Sequence, residues 1–182
     1  MNRINSQGNY DGACFLYSIA NAYAALTGKN LSQRVWDEAV AEMPFLAQFM
    51  TAAEGTRLYN DSVPLYIFSI NRLLNGYRKK RFQIDSMPNL RDGAELLASI
   101  SGNSVVILNI RSEHWVCAVD HTTAGAKLFL ACSAQLFEKR SKYEEKTGPT
   151  FGRAYNRELL LSSGRIGWLH PGSAIRVSRL PT

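Results

Sequence analysis

Residues 13–26, reading ACFLYSIANAYAAL, constrain the fold more than any other stretch, because they have helical spacing and are apolar almost all the way round. Phe15, Leu16, Ile19, Tyr23 and Leu26 fall on different sides of such a helix. A helix with one apolar stripe can lie on a surface, whereas one that is apolar all round has to be enclosed by other elements. The rest of the chain must therefore cover it on more than one side. Gly28 stands where a left-handed residue would stop the helix. With 182 residues, 46% of them apolar and 20% charged, the chain can bury a core without metal or disulfide support. A single domain spanning residues 1–182 is expected.

A second helix should start from an N-cap at Ser32, with Val35, Trp36, Ala39, Val40 and Met43 on one face and Pro44 ending it. A third should run from Pro64 to Asn75, with Pro64 in its first turn and Gly76 past its end. Residues 45–62 carry no clear period. Beyond Gly76 the pattern changes. Residues 81–85 alternate like a strand, and residues 90–100 return to helical spacing through Leu90, Ala94, Leu97 and Ile100. β-rich runs follow at 104–110, 114–120 and 127–132, with Gly125 between the last two, as in a meander. Residues 135–147 are charged and suit a short helix or a loop. Further strands are expected at 157–161, 165–169 and 174–179, divided by Gly164 and Pro171-Gly172. Helices first and an antiparallel sheet second make an α+β layout.

The enclosed helix opens on a thiol. Cys14 would meet the positive end of the aligned peptide dipoles, which favours thiolate. A thiol of unperturbed pKa near ~8.5 is only slightly ionised at neutral pH, and an imidazole together with a helix end can lower that value. Far downstream, Ser112-Glu113-His114-Trp115-Val116-Cys117 places a histidine at the opening of a strand. A thiol on a helix and an imidazole on a strand are the two parts of a Cys/His nucleophilic pair, in which the imidazole serves as base and then as acid. The plainer readings are a small buried hydrophobe for Cys14 and a strand-end histidine satisfied by backbone for His114. His121 and His170 read as surface loop residues. Cys117 and Trp115 alternate to the strand face opposite His114, where core packing is the natural role for Trp115. Asn109 reads as a strand-end residue. Asp120 shares strand parity with His114, but the strand between them would span about 20 Å. Cys117, His121 and Cys132 lack the paired spacing of a zinc site, and no glycine-rich phosphate loop is present. No cofactor or metal is expected.

Gln7-Gly8-Asn9-Tyr10-Asp11-Gly12-Ala13-Cys14, followed by FLYSIANAYAALTG, resembles the nucleophile region of papain-like cysteine peptidases. The resemblance covers roughly residues 5–30 and 104–135. It implies an α+β fold in which a central helix starting at Cys14 packs on an antiparallel sheet. It also implies catalysis by Cys14 and His114, with Gln7 helping to form the oxyanion hole, although the Gln-to-Cys spacing is one residue longer than the family's usual pattern. An Asn or Asp on the following strand orients the imidazole in that family. The corresponding stretch, Leu128-Phe129-Leu130-Ala131-Cys132-Ser133-Ala134-Gln135, has neither. Ser133 is then the possible orienting acceptor, with Cys132 a weak one and Gln135 in reach only if the chain turns back.

Three function classes follow. The first is a thiol hydrolase that cleaves a peptide or isopeptide bond of a protein or peptide substrate. The second is a peptidoglycan amidase resembling the NlpC/P60 type. The third is a binding protein on the same fold that lacks catalysis. The net charge of +6 concentrates at Arg78-Lys79-Lys80-Arg81 between Tyr77 and Phe82, a run that suits either a solvated strand edge or contact with nucleic acid phosphates. The polar start, Met1-Asn2-Arg3-Ile4-Asn5-Ser6, lacks the apolar core of a secretory signal, and no run approaches the about 18–20 apolar residues of a membrane span. Three cysteines without a framework spacing suit a reducing compartment, so a cytoplasmic chain without membrane partners is expected, with signal-independent secretion left open.

Overall fold

The computed structural model describes residues 4–5, 13–47, 62–76, 80–112, 114–122, 127–133, 144–161 and 166–181. Its enclosed helix is α1, Cys14–Thr27, stopped by Gly28 at φ 70°, whose N–H reaches back to Ala24 O at 2.8 Å. Phe15, Leu16, Ile19 and Ala22 expose none of their surface. Burying each larger side chain among them is worth about 1.5–3 kcal/mol. Helix α2, Gln33–Ala41, begins at Ser32, whose hydroxyl accepts the Val35 N–H, and it ends short of Met43. Helix α3, Val63–Asn75, has its proline in the first turn as anticipated. The helical spacing at 90–100 shortens to α4, Gly93–Ala98, with Asp92 as its N-cap.

Eight strands complete the described part: β1 (Phe82–Ser86), β2 (Ser104–Ile110), β3 (His114–His121), β4 (Lys127–Ala131), β5 (Lys146–Thr147), β6 (Ala154–Tyr155), β7 (Arg157–Leu160) and β8 (Ile175–Arg179). Six form one antiparallel sheet in the order β1-β8-β2-β3-β4-β7, and β5 with β6 makes a separate small ladder. The protein is α+β, with helices packed on an antiparallel sheet. The β2-β3-β4 meander follows chain order, whereas β8 threads back between β1 and β2. The strand expected at 165–169 reduces, among the described residues, to a single bridge between Leu169 and Ile110.

Both faces of the central strands are covered. Val105, Ile107, Trp115 and Cys117 join the core formed with α1 and α3, while Val106, Leu108, Val116 and Ala118 pack with Leu96, Ile100 and Leu169 on the opposite face. A strand covered on both sides reads as an unbroken apolar run, which is why 104–110 and 115–119 do not alternate. The β3–β4 ladder slips between Ala118 and Asp120, which leaves Val119 unmatched and sets Asp120 opposite Phe129. That bulge cancels the shared parity expected for Asp120 and His114.

Candidate active site

α1 has no acidic side chain in its first turn, so no carboxylate there offsets the positive end of its dipole at Cys14. Cys14 is 5% exposed. Its Sγ accepts the N–H of Trp115 at 3.5 Å, and Trp115 is the residue after His114. The fold thus brings Cys14 to the peptide that carries His114, across a hundred positions of sequence. The junction is fixed by the next side chain on each element. Phe15 meets Trp115 edge-on at 4.7 Å between ring centroids, and Tyr66 of α3 meets the same indole at 5.0 Å. Such pairs add about 0.5–1.5 kcal/mol each beyond their buried area. Trp115 packs in the core, as its strand parity requires.

The His114 ring points to the strand end beside it. Nε2 lies 3.2 Å from Cys132 Sγ. Cys132 is thus the side chain at Nε2, while Ser133, the next residue, is 1% exposed. Cys132 follows the last residue of β4, where ladder bonds no longer hold the chain. Asn156 takes over that role: its Oδ1 accepts the Cys132 N–H at 2.9 Å and its Nδ2 donates to the Cys132 carbonyl at 2.8 Å. Burial, and secondarily the Arg157 charge, lower the His114 pKa to about 4. The imidazole is therefore neutral at neutral pH and available as a proton acceptor.

The turn that delivers His114 is strained. Arg111 and Ser112, neither of them glycine, have φ of 55° and 60°. This left-handed backbone costs about 1–2 kcal/mol per residue. Tethers from a distant segment hold it: Arg111 donates its N–H to Trp168 O at 2.8 Å, and Ser112 Oγ lies 2.6 Å from His170 Nδ1. His170 is thus half-buried and engaged, more than the plain loop residue expected.

Gln7 lies outside the described residues, but the segment leading to it is anchored. Asn21, 1% exposed within α1, accepts the Asn5 N–H at 2.6 Å through Oδ1 and donates to Asn5 O at 3.3 Å through Nδ2. The other polar groups are held elsewhere. Cys117 is fully buried on the helix side of the sheet, and burial pushes its thiol up to about 12. Asp120 is buried and accepts the N–H groups of His121 (2.7 Å) and Phe151 (2.9 Å). His121 is the last residue of β3, not a loop residue, and its ring meets Phe151 edge-on at 5.5 Å. Asn109 is fully buried within β2. No disulfide joins the three cysteines, and among the described residues no cluster of His, Cys, Asp or Glu is arranged to hold a metal.

No protein-family model matches the chain, and neither does a curated protein or a solved structure. The residues missed by sequence reasoning are Asn21 and Asn156. Both are polar residues whose partners are backbone groups far away in sequence, and neither belongs to a local pattern that would single it out.

Proposed function

We propose that this protein is a thiol hydrolase with papain-like architecture, which cleaves a peptide or isopeptide bond through an acyl-enzyme on Cys14. The observation that carries this reading is the contact of Cys14 Sγ, at the opening of a buried helix, with the N–H of the residue following His114. The resemblance of residues 7–14 to a cysteine-peptidase nucleophile region supports it from the sequence side.

In this mechanism the neutral imidazole accepts the Cys14 proton as Sγ attacks the carbonyl carbon, giving a tetrahedral oxyanion. The N–H groups opening α1, with Gln7, stabilise that charge. Collapse breaks the C–N bond, and the imidazolium gives its proton to the departing amine. The imidazole then takes a proton from water, hydroxide adds to the thioester, and Cys14 leaves as thiolate, which takes the proton back. Cys132 occupies Nε2 and so leaves Nδ1 as the nitrogen assigned to Cys14. A thiol is a weaker hydrogen-bonding partner than an amide, so orientation relies more on packing here.

The test is alkylation by iodoacetamide or an electrophilic peptide at neutral pH, read by peptide mass spectrometry. Cys14 should react first, with Cys117 essentially inert, and His114→Ala should slow Cys14 by about tenfold or more. A Cys14 that reacts no faster than Cys117 and Cys132, and is indifferent to His114→Ala, would overturn the proposal in favour of a binding protein. Release of muropeptides from peptidoglycan, rather than cleavage of protein substrates, would move the same chemistry to an amidase.

A further inference from the structure

At the end of α1 remote from Cys14, roughly 20 Å along the helix axis, a cavity of about 610 Å³ opens where α1, the start of α2 and the end of α3 converge. Among the described residues its wall carries four cations, Lys29, Arg34, Arg72 and Arg81, against a single carboxylate, Glu38. Tyr23, Leu31, Val35 and Leu73 supply apolar surface beside them. The volume lies within the range of small-molecule sites, where a mainly apolar wall holds a few converging polar groups.

The position of Arg34 argues for a ligand rather than for local needs. Arg72, in the last turn of α3, and Lys29, just past α1, complement the negative ends of those helices. Arg72 is also paired with Glu42. Arg34 has no such reason. It is in the first turn of α2, where the dipole disfavours a cation, and no acidic side chain accompanies it there. Its partner Glu38, at 3.1 Å, lies one turn C-terminal, the weaker order for such a pair, and both side chains are well exposed. Among the described residues Lys29 and Arg81 form no ion pair. Arg81, the last residue of the basic run noted in the sequence, is anchored at the cavity by its N–H to Asn75 Oδ1 at 2.8 Å.

We propose that this cavity binds a small organic phosphate, with Lys29, Arg34 and Arg81 on the phosphate oxygens and the Tyr23–Val35 side against the organic part. Guanidinium groups suit phosphate because their planar fork donates paired hydrogen bonds. The site is separate from Cys14 and does not depend on the reading of that residue.

Isothermal titration of the full chain with ADP and with inorganic pyrophosphate, in buffer of physiological ionic strength, tests the proposal. Both should bind saturably. Replacing Lys29, Arg34 and Arg81 together by Gln should weaken binding by about tenfold or more, and Cys14→Ser should leave it unchanged. All three replaced residues are exposed, so the fold should tolerate the changes. Should the triple variant not fold, Glu38→Gln decides, because loss of the carboxylate facing these cations should tighten binding. Absence of saturable binding by the parent chain, or a folded triple variant that binds as the parent does, overturns the proposal. If Glu38→Gln has to decide, unchanged affinity overturns it.

Discussion

A histidine that titrates near 6.5 and one that titrates near 4 differ in charge over the acid range, and burial makes His114 of the second kind. In the proposed mechanism its reactive form is the neutral base, which is lost as pH falls through the pKa of the folded state. The rate of Cys14 alkylation should therefore stay level through pH 6.5 and decline only near 4, a profile that iodoacetamide kinetics at graded pH will display. An acid limb near 6.5 would mean that the ring is more solvated than its 3.2 Å contact with Cys132 and its burial imply. Cys132 itself can be tested by replacement. Cys132→Ala should lower the reaction rate at Cys14 by about tenfold, whereas Cys132→Asn, which supplies an amide oxygen near the same place, should retain or raise it. Equal rates in the two variants would reduce Cys132 to a packing residue.

At the scale of elements, the segment 148–156 does the positioning that short local patterns cannot. Arg153 is 5% exposed and donates to the carbonyls of Ser104 and Val119, each at 2.9 Å, and to Ser101 and Gly102 at 2.6 and 2.8 Å. It thereby joins the start of β2 to the end of β3. Asp120 caps the same segment through the Phe151 N–H, and Asn156 then grips the residue beyond β4. Gly148 makes the close approach possible, since a Cβ there would stand 2.6 Å from the Asp120 carboxyl carbon and 2.7 Å from its Cβ. Gly148→Ala should therefore destabilise the protein by about 1–3 kcal/mol, measured as a lower urea midpoint with little change in m-value. A midpoint equal to that of the parent would show that the loop shifts without cost.

For the whole molecule, burial of a neutral His114 links stability to pH. Between pH 6.5 and about 4 the unfolded chain protonates this residue while the folded chain does not. The unfolded state then binds more protons, so stability falls as pH falls through that window and levels off below it. Urea unfolding at graded pH should show this decline, and His114→Ala should remove His114's part of it; an unchanged slope would count against the burial of the ring.

What the sequence determined by itself is local in origin. The all-round apolar residues 13–26 had to become an enclosed helix, Ser32, Pro64 and Gly28 marked helix ends through backbone chemistry, and the two-sided apolar runs marked central strands. Cys14 and His114 were legible because each opens a strongly patterned element. Tertiary structure alone decided the rest: that β8 returns between β1 and β2, that the bulge at Val119 turns Asp120 away from His114, and that Cys132 rather than Ser133 meets Nε2. It also decided that Asn156 secures the backbone of Cys132. Each of these depends on which backbone groups remain unpaired once distant strands have met, and a linear pattern of side chains does not encode that.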